Sequence, residues 1–205
     1  MSRIINEKTK QIATDMLINI VGTAIPLIVL QLIIYPIVAK KIDAESYGQM
    51  QSIMSVIYLV GGTLGSALST TRLVKDYEYR EKNIFADFNY LFIIALIITT
   101  ILVPVVVKAV FNIKSFTELL LIIIVAILNF ATNYLQVGFR LKLNYRAIFI
   151  CKVLNCVGYI AGFGVFLLSL KWQWIFIFSM LFEAIFSIVK TDLLKDIQQL
   201  LNRHL

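Results

Sequence analysis

Apolar residues fall in six blocks along the chain, at positions 16–39, 50–73, 88–107, 119–139, 147–170 and 174–189, separated by short polar stretches. Each block is close to the roughly 20 residues that a helix needs to cross a hydrocarbon layer of about 30 Å. In lipid the backbone of a spanning segment must satisfy its own hydrogen bonds, so each block predicts a helix. A transmembrane barrel would need alternating strands of about ten residues, and no block alternates. The pattern predicts an all-α integral membrane protein, a six-transmembrane-helix bundle. Residues 1–15 form a polar leader, 16–189 the six-helix lobe, and 190–205 an amphipathic cytoplasmic tail whose Leu193, Leu194, Ile197, Leu200, Leu201 and Leu205 share a face. The first apolar block is too long for the core of a cleavable signal peptide.

The polar stretches carry their own signals. In "PIVAKKIDAESYGQMQS", residues 36–52, Asp43, Glu45 and Ser46 fall where the second helix begins and complement its positive end. "SFTE" at residues 115–118 fits a capping box before the fourth helix. The motifs Gly61-xxx-Gly65 and Gly158-xxx-Gly162 predict close helix approach. Pro26, Pro36 and Pro104 predict kinks.

Of the 205 residues, 60% are hydrophobic and 15% charged, with a formal net charge of +7. The basic residues sort by segment. Placing the N-terminus inside puts thirteen Lys and Arg on inner segments (3, 8, 10, 72, 75, 80, 82, 140, 142, 146, 190, 195, 203) against five on outer loops (40, 41, 108, 114, 171). That asymmetry predicts both termini in the cytoplasm of a multi-pass plasma-membrane (inner-membrane) protein, with the bilayer rather than nucleic acid as the partner of the basic excess.

Polar residues inside the helices are the candidates for function. The fourth helix carries Asn129, Thr132, Asn133, Gln136 and Arg140 on one face. The second offers Gln51, Ser55, Tyr58, Gly62, Ser66, Ser69 and Arg72, the fifth Lys152, Asn155 and Tyr159, and the first Asn19 and Thr23. Such stripes either hold helices together or line a hydrated cavity. Lys152 and Glu183 lie at matching depth on consecutive antiparallel helices. They read as a structural ion pair, as a substrate cation, or as an ion-coupling acid; a charge alone in the bilayer costs about 2.5–3.5 kcal/mol, so a partner is expected.

Other chemistry is thinly represented. Cys151 and Cys156 do not share a helix face and read as packing residues. The lone histidine, His204, lies in the tail. "DYEYRE", with Asp76, Glu78 and Glu81, could hold a divalent metal in a membrane-bound sugar-phosphate transferase. Lys75, Arg80 and Lys82 interleave with those acids, which favours a solvated, salt-bridged loop. No metal site and no cofactor is expected.

The run "AKKIDAESYGQ" followed by "GGTLGSALSTTRLVKDYE", with Gly22, Pro26 and Pro36 before it, resembles the amino-terminal lobe of the polysaccharide (O-antigen, teichoic-acid and capsule) flippases of the multidrug/oligosaccharidyl-lipid/polysaccharide exporter superfamily. "YLQVGFRLKLNYRAIFICKVLN", residues 134–155, is similar to that family's passage from fourth to fifth helix. The family's first hairpin reads Leu-Gly, three residues, Tyr-Gly; here it is Ile42-Asp43, three residues, Tyr47-Gly48, with Asp43 in place of the glycine. The resemblance implies a non-enzymatic flippase for polyprenyl-diphosphate oligosaccharides in polysaccharide (including lipopolysaccharide) biosynthesis. It implies a second lobe or a second copy as partner, because family members carry two six-helix lobes. The site it suggests is a basic mouth of Arg72, Arg140 and Lys152 with Asn129, Asn133 and Gln136 along the path, and Lys152 shared between Glu183 and substrate.

Overall fold

The computed structural model describes residues 2–78, 85–111, 113 and 115–190. Every regular element among them is helical. Six helices are long and apolar enough to cross a membrane: α1 (Met16–Lys41), α2 (Ala44–Asp76), α3 (Phe88–Phe111), α4 (Phe116–Leu141), α5 (Tyr145–Ser169) and α6 (Gln173–Lys190). The largest departure from the apolar blocks is the start of α2, which lies six residues ahead of the apolar run. A cap, not hydropathy, sets that end. Asp43 has extended backbone, and its Oδ1 accepts from the Ser46 backbone N–H at 2.8 Å while Oδ2 accepts from Ser46 Oγ at 2.7 Å. Its φ of −67° makes no demand for glycine. The polar leader is helical from Ser2 and runs into α1 without a break, because Glu, Lys, Gln and Ala are good helix formers whatever their hydropathy. The amphipathic tail from residue 191 on, and Arg80, Glu81 and Lys82, lie outside the described residues.

The helices alternate in direction. The terminal end of the bundle holds the N-terminus and the α2–α3 and α4–α5 connections; the far end holds the other three. α6 packs along α5 and also against α4; α1 lies on α5, and α2 and α3 lie on α4. Two glycine pairs set the closest approaches. A Cβ on Gly158 would fall 2.5 Å from Phe178 O and Ser179 Cα of α6, and one on Gly162 would meet Trp174 O. Gly61 and Gly65 of α2 sit in the same way against Asn129 and Asn133 of α4.

Two helices depart from α geometry in mid-span. α1 is π-helical over Val29–Ile34, just after Pro26, and α2 over Tyr58–Gly62, where Gly61 and Gly62 fall. Pro26 cannot donate to the preceding turn, which loosens the ladder there. Pro104, by contrast, is accommodated inside an α-helix that runs unbroken over Phe85–Phe111. Pro36 follows the π-helical turn directly, with Ile34 and Tyr35 before it still in helical backbone.

The interior is divided along its length. The main hydrophobic core lies in the far half and includes Ile34 and Val38 of α1, Ile53 and Ile57 of α2, and Phe176 of α6. The terminal half holds a small apolar cluster around Phe139, Ile148 and Cys151. It also buries Phe88, Phe130, Tyr134 and Leu135, and most of the buried polar side chains: Arg72, Asn129, Thr132, Gln136, Asn155, Glu183 and Ser187.

Candidate functional site

Glu183 is the centre of the buried polar cluster in the terminal half. It sits seven residues before the end of α6 and is 2% exposed. A carboxylate so placed must be paired or bonded on both oxygens. Oε1 accepts from Lys152 Nζ at 2.9 Å and from Gln136 Nε2 at 2.6 Å, and Oε2 accepts from Asn155 Nδ2 at 2.7 Å. The donors come from α4 and α5, so one carboxylate ties three helices together. Close by, Cys151 Sγ of α5 and Ser187 Oγ of α6 are 3.5 Å apart.

The two ions differ in their surroundings. The Glu183 side chain is 3% exposed and that of Lys152 is 22% exposed. Glu183 has two amide donors besides Lys152, and Lys152 is the more exposed partner of the pair.

The other candidates fall elsewhere. Asn129 and Asn133 pack against α2: a Cβ on Gly61 would meet Asn129 Oδ1 at 2.9 Å, and one on Gly65 would meet Asn133 Cβ at 2.9 Å. Asn133 Nδ2 donates to the Asn129 backbone carbonyl at 2.8 Å. These two asparagines are helix-packing residues in this arrangement. Arg72 turns inward and is buried; its Nη1 donates to Tyr134 Oη at 2.9 Å, and its guanidinium lies over the Tyr134 ring. Arg140 is exposed on the short helical segment Val137–Leu141 at the terminal end of α4. The structure thus joins Gln136, Lys152 and Glu183, and it holds Arg72 on α4 rather than at an open mouth. Asn155, one of several polar positions on its helix in the sequence, also belongs to the carboxylate site. Its signal was its place three residues after Lys152, on the same face of α5.

A second feature is on the outside of α2. Ser52, Ser55, Leu59, Thr63, Ser66, Ala67, Thr70 and Val74 lie on one exposed side, and five of these eight are hydroxyl residues. On α3 the corresponding exposed face is Ile94, Ile98, Ile101 and Val105. No family model, curated protein or solved structure matches the chain.

Proposed function

We propose that the chain is one lobe of a flippase for polyprenyl-diphosphate-linked oligosaccharides, set in the plasma membrane with both termini in the cytoplasm. The observation that carries this reading is the exposed hydroxyl face of α2. A helix facing hydrocarbon on its open side gains from large aliphatic residues, as on α3. The α2 face has small hydroxyl side chains instead, some of them bonded to their own backbone, as Ser55 Oγ is to Gln51 O at 2.9 Å. Small hydroxyl groups leave room for hydrated sugars. The lipid tail of the cargo would stay in the bilayer, and rocking against a second lobe or a second copy would provide alternating access. At the terminal end, Arg140 and Lys152 supply cations for the diphosphate, Lys152 exchanging Glu183 for a phosphate oxygen.

The test uses the chain in its own membrane. Ser55→Phe with Ser66→Phe fills the α2 face and is expected to abolish polysaccharide export and trap lipid-linked oligosaccharide in the inner leaflet. Ile98→Phe on α3 is expected to leave export intact. Normal export from the α2 double variant, at normal membrane levels, would refute the reading. A second reading, a structural membrane subunit without transport, draws on the packing of Asn129 and Asn133 against glycines. It predicts no change in export from either set of variants. A sugar-phosphate transferase would need metal ligands; among the described residues no group of three His, Cys, Asp or Glu is placed to hold one, and Glu81 lies outside them.

A further inference from the structure

The connection between α4 and α5 is hydrogen-bonded throughout. Leu143 N donates to Arg140 O at 3.1 Å and Asn144 N to Phe139 O at 2.9 Å, the pairing that ends a helix on one left-handed residue. Asn144 Oδ1 then accepts from Ala147 N at 3.1 Å and starts α5. The left-handed residue is Leu143, at φ 50°. Glycine is the usual occupant, because a Cβ crowds the backbone in that region. Leu143 carries its full side chain there and is 70% exposed. Its sequence neighbours Arg140, Lys142 and Arg146 are exposed as well. We propose that this turn binds the headgroup of an anionic phospholipid, with Leu143 at the acyl boundary, Arg146 on the phosphate, and Arg140 and Lys142 adding to the positive field.

Depth places the turn. α5 has 25 residues, about 37 Å of helix, against about 30 Å of hydrocarbon. Both its ends therefore reach the headgroup layer. The far end offers a comparison. Leu170, the residue after α5, is also left-handed, at φ 56°, and is 56% exposed. Among the described residues these two leucines are the non-glycine residues with positive φ. One span is thus bracketed by two exposed leucines, each in a backbone conformation that disfavours it. Neither gains its place by packing inside the protein. A layer of acyl chains would bury both.

Charge separates the two ends. Leu170 has one cation within three residues, Lys171, whereas Leu143 has three. No Asp or Glu occurs from position 119 to position 182. Among the described residues the Arg140 and Arg146 side chains have no hydrogen bond or ion pair. A guanidinium grips phosphate oxygens on two prongs, and basic residues beside a span are drawn to anionic lipid. The apolar contact therefore recurs at both ends of α5, while recognition of the headgroup belongs to the terminal end. The site stands whether or not the chain moves a cargo. Arg140 stays native in the test, because the proposed cargo also calls on it.

The full chain in nanodiscs provides the test. Its thermal unfolding temperature is expected to be higher in phosphatidylglycerol than in phosphatidylcholine. Arg146→Gln should reduce that gain by about half, while Lys10→Gln, the same change of charge in the leader, should leave it. Leu143→Asn removes the apolar side chain and tolerates left-handed backbone, so it should reduce the gain without unfolding the turn. Glycerol 1-phosphate added to phosphatidylcholine nanodiscs should give no gain; one equal to that of the lipid would make a soluble ester the ligand and overturn the assignment. A nitroxide attached through Leu143→Cys, in a Cys151→Ala, Cys156→Ala background, should collide with oxygen more often than with a water-soluble nickel complex. The proposal is also overturned if the nickel complex dominates, if the native chain shows no gain, if the gain survives Arg146→Gln or Leu143→Asn, or if Lys10→Gln removes as much of it.

Discussion

A single carboxylate, Glu183, organises the terminal half of the bundle, and its three donors differ in kind. Gln136 and Asn155 are neutral and fixed; Lys152 is charged and partly exposed. Removing one member of a buried ion pair leaves an uncompensated charge, at a cost of about 3–5 kcal/mol, whereas replacing both by apolar groups is often neutral. Lys152→Met is therefore expected to destabilise the chain by about that amount. Lys152→Met with Glu183→Leu should recover most of it, as thermal unfolding in detergent will measure. A double variant that is stable but inactive would assign the pair a role in transport; one that is stable and active would make it structural. At the opposite end, the hydrogen bonds from Ser46 hold the Asp43 carboxyl below its usual range. Its contribution to stability is then full above the ordinary carboxylate range, near 4, and is lost as pH falls through the lowered native value. Asp43→Ala should lower the unfolding temperature at neutral pH, and the gap from the native chain should close on acidification. A gap that stays constant with pH would show that the cap does not act through its charge.

Among the elements, the α5–α6 contact is the least tolerant of change. A Cβ on Gly158 would meet the backbone of Phe178 and Ser179, and backbone cannot swing aside as a side chain can. Gly158→Leu should cost at least the 1–3 kcal/mol or so typical of overpacking, and assembly in the membrane should fail. Gly48→Leu should be silent for stability, since nothing lies within 4 Å of a Cβ there; pulse-chase decay of the two variants distinguishes them. The same contrast marks what was legible in the sequence. Both glycine pairs announced themselves by spacing and both fall at helix crossings. The six spans and the caps at Asp43 and Ser115 were readable because hydropathy and capping are local. The π-helical turns were not. Pro26 marks one, but Pro104 has the same chemistry and sits in unbroken α-helix. The split of the α2 polar positions was also hidden. Ser69 and Arg72 turn inward while Ser55 and Ser66 face out, because which side of a helix is covered depends on neighbours distant in sequence. Matched depth made the Lys152–Glu183 pair readable. Spacing alone could not show that Asn129 would lie on Gly61 while Gln136 would reach Glu183.

At the scale of the whole molecule, two asymmetries meet. Along the bundle axis, the far half is closed by an apolar core, while the terminal half buries a polar cluster around Glu183 among apolar side chains such as Phe130 and Phe139. Across the bundle, α3 presents isoleucine and valine while α2 presents serine and threonine interspersed with Leu59, Ala67 and Val74. A bundle surrounded only by lipid gains nothing from the second asymmetry, since hydroxyl groups bury less apolar area than aliphatic side chains. A bundle that faces water or a hydrated cargo along α2 gains access there, most of all in the terminal half where Ser66 and Thr70 lie. Chemical access to single cysteines decides between these surroundings. The chain has two native cysteines, Cys151 and Cys156, both buried, so Cys151→Ala with Cys156→Ala gives a background in which one introduced thiol can be followed. Maleimides react with the thiolate, which forms readily in water and not in hydrocarbon. Ser66→Cys and Thr70→Cys are expected to label with a membrane-impermeant maleimide applied to inside-out vesicles. Ile98→Cys and Ile101→Cys on α3 should stay unlabelled. Labelling of the α2 pair only in right-side-out cells would reverse the orientation while keeping the polar path. If neither α2 thiol reacts from either side, although both react once the membrane is dissolved, the hydroxyl face is covered by lipid or by another helix, and a water-filled path along α2 is ruled out.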